Sequence, residues 1–447
     1  MEQSGAIEAA EGQNGARRPL PRLIERQFPP LTPRQWRVFW ISTTAGFFDN
    51  YDGALLSLAL KQIQRGLGVS EGGLGAMLSM IRLGYLASLL ISPLADVFGR
   101  RRLLLYTIIG YTVFTGLSAV APGERSFVAA QFVTRAFSGA EATVSLVILA
   151  EEVDAAVRGW AIGMQGALAI SGYGLAAIVF AFIAIIPFGW RGLYALALLP
   201  LLLVIPLRRA LPESRRFELE RASTAHAASL LGPLKALFEA YPGRLAMLSA
   251  VAFLNAMGAS PANFFFPLYL QNAHGWSPKQ VSSLVVFGGA LGILGSIFGG
   301  RMSDRRGRRM TGALFMMLGP ALTFWLFEAR SNLVVPIWIV RLFFDTAAAT
   351  IMSAYSAELF PTSHRSAAAS AQIVAGTTGG ALGLFIEGLL YGAVESHWTA
   401  IRALAGFWLI APFIIVLCFP ETAAIELEEI SPEPASRQAL PPAGGAG

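Results

Sequence analysis

The sequence predicts an all-α membrane protein in which twelve transmembrane helices form two pseudo-symmetric bundles of six. Only 14% of the 447 residues are charged and 54% are hydrophobic, whereas soluble domains carry roughly 25% charged residues. Apolar runs long enough to cross a hydrocarbon core, about 20 residues each, recur along the chain. A charged turn occurs twice, at 94–102 and at 302–309, each time between two apolar runs. A soluble chain with this pattern would expose far too much apolar surface.

The apolar runs divide the chain into five segments. These are a cytoplasmic N-terminal tail at 1–36, a six-helix bundle at 37–208, a cytoplasmic linker at 209–243, a second six-helix bundle at 244–419 and a cytoplasmic tail at 420–447. The predicted spans of the first bundle are 38–63, 74–95, 103–121, 127–150, 160–182 and 189–207, and those of the second are 245–270, 281–300, 310–327, 333–355, 367–391 and 401–419. The C-terminal tail is rich in Pro, Ala and Gly, which predicts disorder.

Lysine and arginine gather on one side of the predicted membrane. That side carries the N-terminal tail, the linker and the arginines at 100–102 and 305–309, and the other side has only scattered cations. Because cytoplasmic loops hold the excess of Lys and Arg, both termini are predicted to be cytoplasmic in a plasma (bacterial inner) membrane. The net charge of +6 is therefore attributed to contact with membrane lipid and not with nucleic acid. The single cysteine, Cys418, excludes an intramolecular disulfide.

Five residues of the first half recur in the second half at an offset of 207 or 208 positions, which indicates a repeat of six spans. Parallel repeats with a solute site between them are one known transporter layout. The recurring charges are predicted to form a cytoplasmic gate that breaks when the halves move. Alternatively, they only set the topology and anchor the loops. The matched pairs are Asp96 and Asp304, Gly99 and Gly307, Arg100 and Arg308, Glu151 and Glu358, and Arg158 and Arg365.

These motifs resemble signatures of the major facilitator superfamily. The turns at 94–102 and 302–309 resemble its loop motifs between spans two and three and between spans eight and nine. Pro212-Glu213-Ser214 and Pro420-Glu421-Thr422 resemble the marks that close each half in sugar porters and related metabolite–proton symporters. The resemblance covers about 36–422. It implies the major facilitator fold, a monomer that works by alternating access, and a proton as the coupling ion with no other cofactor.

Two carboxylates on the first span are candidates for proton coupling. Asp49 and Asp52 lie three residues apart, on one face of a helix. Ionisable groups inside spans are costly, so each is a functional candidate. Burial and mutual repulsion both favour the protonated form of a carboxyl group. Asp52 is therefore predicted to carry the proton, and the alternative is a neutralised structural pair.

The fourth span supplies candidate partners for these acids. The segment 50–53 resembles the first span of sugar porters, where an acid at the Asp52 position pairs with a fourth-span arginine. Arg135 is the available arginine, but it lies about one turn from the family position, which here holds Gln131. Glu141 matches an acid that metabolite–proton symporters carry in this span. Asp49 or Glu141 is predicted to be the partner of Asp52, or the alternative carrier.

Arg82, deep in the second span, has two predicted roles: it neutralises a first-span acid, or it binds the carboxylate of an anionic solute. The remaining predicted solute contacts are aromatic and amide groups together with an acid of the tenth span. Asp345 alternatively pairs with Arg341, four residues before it, and each aromatic alternatively packs against helices or lipid. Gln165 resembles a sugar-contacting glutamine, but the seventh span lacks the family's paired glutamines, which argues against a hexose. The candidates are Tyr51, Gln165, Tyr173, Asn255, Asn263, Phe265, Tyr269, Asp345, Tyr355 and Gln372.

No residue pattern indicates an enzyme or a metal site. The four histidines are predicted in loops without metal-ligand spacing, no Walker-type loop is present, and Glu328, Glu387 and Glu395 are predicted to be solvated near span ends. The predicted function is secondary active transport of a small polar organic solute (a sugar, an organic acid or an aromatic acid) by proton symport. A drug or metabolite antiporter and a non-transporting sensor are the alternatives. The absence of proline at 171–174 favours symport.

Overall fold

The computed structural model describes residues 31–199, 232–361, 364–423, 425 and 427–430. All regular secondary structure in these residues is helical. The helices of the first half are α1 (Pro33–Leu58), α2 (Leu60–Leu67), α3 (Gly73–Ile91), α4 (Leu94–Phe98), α5 (Arg100–Ala119), α6 (Glu124–Glu152), α7 (Ala155–Phe180) and α8 (Trp190–Leu196). Those of the rest are α9 (Gly232–Ala240), α10 (Pro242–Ala273), α11 (Pro278–Arg306), α12 (Arg308–Leu326), α13 (Ser331–Glu358), α14 (Arg365–Val394), α15 (His397–Trp408), α16 (Ile410–Cys418) and α17 (Leu427–Ile430).

The helices confirm the predicted fold class. Within the described residues, nine helical segments are long and apolar enough to cross a membrane, and α1 and α12 occupy the predicted first and ninth spans. The sixth predicted span is described only as far as residue 199. The predicted tails up to residue 30 and from 431 onward lie outside the described residues, as does the linker up to residue 231. The protein is an integral membrane protein.

Local sequence signals account for where the long helices begin. α1 starts with a capping box, in which Thr32 Oγ1 accepts from Gln35 N at 3.2 Å and Gln35 Oε1 accepts from Thr32 N at 2.9 Å. α11 starts in the same way, with Ser277 as the capping residue and Gln280 three positions later. In both helices proline occupies the first turn, where its missing N–H costs no hydrogen bond.

The two charged turns have the same backbone geometry, which supports the sequence repeat. Gly99 has φ 94° and ψ 139°, and Gly307 has φ 93° and ψ 142°. Side-chain-bearing residues rarely adopt a positive φ of this size, so both turns require glycine. The turns lie on one face of the molecule, which we call the arginine-rich face. The opposite end of the bundle, where α1 ends and α3 begins, is called the sealed face.

The two halves contact each other mainly near the sealed face. α3 packs against α14, α1 against α10, and α7 against α11. Lys61 Nζ donates to the Gln271 carbonyl oxygen at 2.9 Å, and Gln62 Nε2 donates to Gln271 Oε1 at 2.8 Å. Ser57 Oγ donates to the Phe264 carbonyl oxygen at 3.2 Å. These hydrogen bonds join the first half to the second and close this end of the bundle.

Glycines allow α3 and α14 to approach with their backbones in contact. A Cβ atom at Gly75 would lie 2.4 Å from the Leu384 carbonyl oxygen and 2.6 Å from the Gly388 nitrogen. A Cβ atom at Gly388 would lie 3.2 Å from the Gly72 carbonyl oxygen. Small residues at helix interfaces in membranes allow such close packing. A side chain at position 75 would hold the halves apart.

Candidate functional site

A buried ion pair forms the centre of the first half. Arg135 Nη2 lies 2.8 Å from Asp52 Oδ2, and the two side chains are 3% and 1% exposed. The same nitrogen donates to Gln131 Oε1 at 3.1 Å, and Gln131 Nε2 donates to Ser118 Oγ at 3.1 Å. The arginine one turn from the family position therefore still reaches Asp52, while Gln131 holds the guanidinium from the side.

Two further acids lie near this pair. Asp49 is half-buried and accepts a hydrogen bond from Ser138 Oγ. Glu141 is fully buried, and neither of its carboxylate oxygens has a hydrogen-bond partner among the described residues. The structure thus brings together all four residues predicted for proton coupling. Asp52 pairs with Arg135, Asp49 lies nearby, and Glu141 has no described partner, so these four residues carry excess negative charge unless they bind protons.

A cavity of about 380 Å³ lies within the second half, which suits a small organic solute. It is lined by α10, α12, α13, α14 and α15, and small alanine and glycine residues make up much of its wall. Four residues predicted to contact solute line it: Asn255, Asn263, Asp345 and Gln372. Ser353 and Trp408 line it as well, and the sequence prediction missed them.

Fixed hydrogen bonds orient the polar groups of this cavity. Arg341 Nη2 donates to Asn263 Oδ1 at 2.8 Å and lies 3.2 Å from Asp345 Oδ2. Trp408 Nε1 donates to Asn255 Oδ1 at 2.8 Å. Arg341 is only 1% exposed and pairs with Asp345. This pair is the alternative to a solute contact that the sequence offered for Asp345. The indole ring of Trp408 supplies an aromatic wall beside these groups.

Arg82 lies where the two halves meet, close to the cavity. A Cβ atom at Gly380, one turn from the cavity residue Gly376, would lie 2.3 Å from Arg82 Nε and 2.5 Å from Ser260 Oγ. Arg82 forms no ion pair among the described residues, and its buried Nε has no hydrogen-bond partner there. The first-span acid Asp52 pairs with Arg135 instead. The described contacts therefore show no first-span acid paired with Arg82, and its binding of an anionic solute stays a prediction.

Six predicted solute contacts lie outside the lining of this cavity, so their role stays a prediction. Each is engaged elsewhere: hydroxyl and amide groups bond within the helix bundle, and aromatic rings pack in cores. Tyr51 Oη donates to the Leu193 carbonyl oxygen at 3.3 Å, Gln165 Nε2 donates to Ser145 Oγ at 3.1 Å, Tyr355 Oη donates to the Pro420 carbonyl oxygen at 3.1 Å, Tyr173 packs against the core, and Tyr269 packs against Phe327 and Trp398. Phe265 is also buried in the core, against His397.

The charged turns form matching ion pairs within each half. Arg100 pairs with Glu151 in the first half, and Arg308 Nη2 lies 2.7 Å from Glu358 Oε1 in the second. Arg308 also lies 3.2 Å from Asp304. Asp96 belongs to α4, but its side chain is outside the described part of the structure. The described gate pairs therefore stabilise each half separately in this conformation, so their predicted role across the two halves stays a prediction.

The remaining gate residues, Arg158 and Arg365, bond to turns in the same repeated way. Arg158 Nη2 donates to the Val153 carbonyl oxygen at 3.5 Å, and Arg365 Nε donates to the Phe360 carbonyl oxygen at 3.2 Å. Each acceptor lies five residues before its arginine and just past the end of a helix, α6 or α13. The two arginines thus hold equivalent turns of the two halves.

Glu421 lies at the arginine-rich face and accepts several backbone hydrogen bonds. The sequence indicated it only as part of the Pro420-Glu421-Thr422 motif and predicted no role for it. Its carboxylate accepts hydrogen bonds from the backbone N–H groups of Arg308 at 2.7 Å and Arg309 at 3.1 Å, and also from those of Thr422 and Ala423, each at 3.0 Å. Burial alone would raise the pKa of this carboxyl group, but the four donors outweigh it and the pKa is lowered. Glu421 thus caps the first turn of α12.

Two predictions about the sealed face are wrong. His397 is not in a loop: it is the first residue of α15 and is 4% exposed. Glu387 is not solvated: it is fully buried and contacts His397. Ser396 caps α15, because its Oγ accepts a hydrogen bond from Thr399 N. A serine at this position is a sequence signal for a helix that starts at His397. Glu328 is exposed and pairs with Arg402 at 3.2 Å, and Glu395 is exposed.

The sequence matches the Major Facilitator Superfamily over residues 43–250 and 248–443. The chain belongs to this superfamily of transporters, and it is not an enzyme. Among its relatives are the "Probable 4-methylmuconolactone transporter" of Cupriavidus pinatubonensis, 26% identical over 92% of this chain and 96% of the relative, and the "Sialic acid transporter NanX" of Escherichia coli, 24% identical over 79% and 86%. The "Benzoate transport protein" of Acinetobacter baylyi is 23% identical over 84% and 87%.

Solved structures share the fold of this chain. A D-xylose–proton symporter superposes with a TM-score of 0.73 at 18% identity, over 86% of this chain and 98% of the other. The xylose transporter XylE from E. coli in an inward open conformation gives 0.70 at 16% identity, over 89% and 99%. At this level of identity the likeness concerns the fold alone.

Proposed function

We propose that this transporter moves a small organic anion into the cell together with a proton, by alternating access between its two halves. The observation that carries the proposal is the cluster of the half-buried Asp49 with the buried Asp52, Glu141 and Arg135. Three acids and one arginine cannot all stay ionised in a water-poor interior without a large electrostatic cost. Uptake of a proton relieves that cost. The cluster is therefore suited to bind and release the coupling ion. Asp52 is the proposed carrier, with Asp49 or Glu141 as the alternative, and a proton on Asp52 would release Arg135 from its ion pair.

An anionic solute fits the groups around the cavity. Arg82 offers guanidinium donors that no described carboxylate occupies, and guanidinium geometry suits a carboxylate group. Asn255, Gln372 and Trp408 add hydrogen-bonding groups and an aromatic wall a short distance away. Two of the relatives are named for sialic acid and for benzoate, and these names support a small organic acid over a neutral sugar.

The proposal includes an orientation and a conformation. The arginine-rich face carries Arg100, Arg308 and the arginines around them, and the positive-inside rule places such a face in the cytoplasm. The hydrogen bonds of Gln271 with Lys61 and Gln62 close the other, outward face. The chain is thus proposed to be inward-facing here, in a bacterial inner membrane, and to work as a monomer because one chain supplies both halves of the site.

Transport into proteoliposomes tests the proposal. When the outside is acidic, purified protein should accumulate radiolabelled benzoate above the level in protein-free liposomes, which benzoic acid enters by diffusion. Asp52→Asn should reduce accumulation to that level while retaining exchange of benzoate without a gradient. Glu328→Gln changes an exposed acid of the outward face and serves as the matched control, with wild-type accumulation expected. Accumulation by Asp52→Asn equal to the wild type would refute the proton role of Asp52.

Solute class is tested separately by thermal shift. Benzoate and sialic acid are expected to raise the unfolding temperature, because a ligand that binds only the folded state stabilises it by mass action. Xylose is the neutral comparison. Stabilisation by xylose and by neither acid would overturn the anion proposal, whatever the outcome for the proton.

A further inference from the structure

A histidine between two glutamates joins the two halves at the sealed face. His397 Nδ1 lies 2.5 Å from Glu387 Oε1, and His397 Nε2 lies 3.0 Å from Glu71 Oε2. His397 and Glu387 belong to the second half, whereas Glu71 precedes α3 in the first half. The imidazole ring therefore bridges the interface that closes this face. Neither the cavity nor the Asp52 cluster includes these three residues.

We propose that His397, Glu71 and Glu387 form a second proton-binding site, and that binding of a proton there closes the sealed face. The count of hydrogen atoms leads to this assignment. Each of the two nitrogen–oxygen contacts needs one hydrogen, but a neutral imidazole carries only one N–H and an ionised carboxylate carries none. The closed arrangement therefore holds one proton more than a neutral histidine with two ionised glutamates.

The surroundings suit a positively charged imidazole. The ring stacks on Tyr391 with centroids 4.3 Å apart and lies 4.7 Å from the ring of Phe265. Aromatic faces attract cations. Glu387 is fully buried, and its Oε2 atom, which has no hydrogen-bond partner among the described residues, points towards Gly75 of the first half. A buried carboxylate in this position requires a counter-charge, and the imidazolium of His397 supplies it.

Other charged groups around the cluster do not replace this proton. The titratable groups that face it are Tyr391 on α14 and Glu395 after that helix. Both are neutral or negative, so they add no competing positive charge. From α10 the neighbour of the ring is Phe265, and from α3 the neighbour of Glu387 is Gly75, which carry no charge. Only His397 can become cationic within this set.

The site is open to protons from the solvent at one member. The Glu71 side chain is 43% exposed, while those of His397 and Glu387 are 5% and 0% exposed. A proton from the solvent on that side thus reaches the buried pair through Glu71. When the halves separate, Glu71 leaves the ring, and the extra proton loses the contact that held it. Closure of this face and proton binding are therefore linked.

Distances between spin labels test the linkage without measuring transport. In a Cys418→Ser background, labels at the exposed positions Arg125 on α6 and Lys279 on α11 report the separation of the halves at this face. Full-length protein in nanodiscs is compared at about pH 5 and about pH 8, the range over which histidine side chains in general change charge. As the pH rises, the ratio of the closed population (short distance) to the open population (long distance) should fall by up to about tenfold per pH unit, because opening releases one proton.

Replacing either glutamate by glutamine tests whether closure of this face needs the added proton. In Glu387→Gln, the amide donates to the imidazole and a neutral ring still donates to Glu71, so both contacts form without an added proton. This variant should keep the short distance at both pH values, and Glu71→Gln should do the same through the exposed partner. Glu328→Gln, an acid of the same face outside the cluster, should keep the wild-type pH dependence.

Two results would overturn the proposal. One is a wild-type distance distribution that does not change with pH. The other is a wild-type pH dependence that persists in both Glu387→Gln and Glu71→Gln, because closure would then not need this proton. The inference depends on the proposed function only in assigning the sealed face to the outside. Failure of proton-driven benzoate uptake would therefore leave the distance result unaffected.

Discussion

Arg135 Nη2 lies 2.8 Å from Asp52 Oδ2 in a region where both side chains are almost completely buried. Removing only one charge of such a pair leaves the other uncompensated, which costs about 3–5 kcal/mol. Arg135→Gln should therefore lower the thermal unfolding temperature strongly. The double variant Asp52→Asn with Arg135→Gln should recover most of the loss. Purely additive losses in this double-mutant cycle would show that the two charges do not depend on each other.

Trp408 and Trp325 offer a matched comparison for the cavity. Trp408→Phe removes the N–H group that donates to Asn255, so the amide loses its orientation at a cost of about 1 kcal/mol. We expect benzoate binding, measured by isothermal titration calorimetry, to weaken about fivefold. Trp325→Phe changes a side chain that is 67% exposed on α12 and should leave the affinity unchanged. Equal affinities for both variants would argue against the cavity as the solute site.

Gly75 should control closure of the sealed face. A methyl group there would meet the backbone of Leu384 and Gly388 within 2.6 Å, so Gly75→Ala should shift spin labels on the two halves towards long distances. Gly174→Ala is the control, because a Cβ atom at that helical glycine meets nothing within 4 Å. The control should keep the wild-type distances and gain about 0.5–1 kcal/mol of helix stability. Short distances in Gly75→Ala would contradict this prediction and would show that the two helices accommodate the methyl group without separating.

Glu421 should stabilise the protein in a pH-dependent way. Its pKa is below the ordinary value of 4.5, so its contribution is fully present above that ordinary value and is lost as the pH falls through the lower, folded-state pKa. Glu421→Ala should cost about 1 kcal/mol at neutral pH, as loss of a helix cap does. The difference from wild type should disappear in strong acid.

Glu239 provides the control for that measurement. It is exposed on α9 and pairs only with Lys235, at 3.8 Å among the described contacts, so Glu239→Ala should change stability little at any pH. Thermal melts of both variants in detergent at several pH values give the comparison. A Glu421→Ala deficit that is constant with pH would assign the stabilisation to packing and not to the ionised cap.

Local features of the sequence were sufficient to predict the helices and the candidate residues of the cluster around Asp52, but not the cluster around His397. Long, mostly apolar runs define α3, α6 and α14 because a lipid environment tolerates few alternatives to a helix. The resemblance of segment 50–53 to the first span of sugar porters implied a pair between Asp52 and a fourth-span arginine, and Arg135 is the arginine that the structure places there. The one-turn departure of Arg135 from the family position did not matter, since the long arginine side chain spans it.

Contacts between distant segments could not be predicted in the same way. Glu71 and His397 are separated by 326 residues, and each lies beside a turn, where charged groups are ordinarily solvated. Glu421 reaches the N–H of Arg308 across 113 residues. Tyr355 and Tyr51 were assigned to the cavity because buried aromatic residues line binding sites and cores alike. Only the packing of the helices separates these cases.

The backbone contact around Gly75 and Gly388 has a consequence for how fast the carrier can turn over. Gly75 and Gly388 themselves have no side chains to withdraw when the two helices part. At this point of the interface, separation needs no rotamer change of either residue. Larger residues at these two positions would interlock and turn a rapid rocking motion into a slow one.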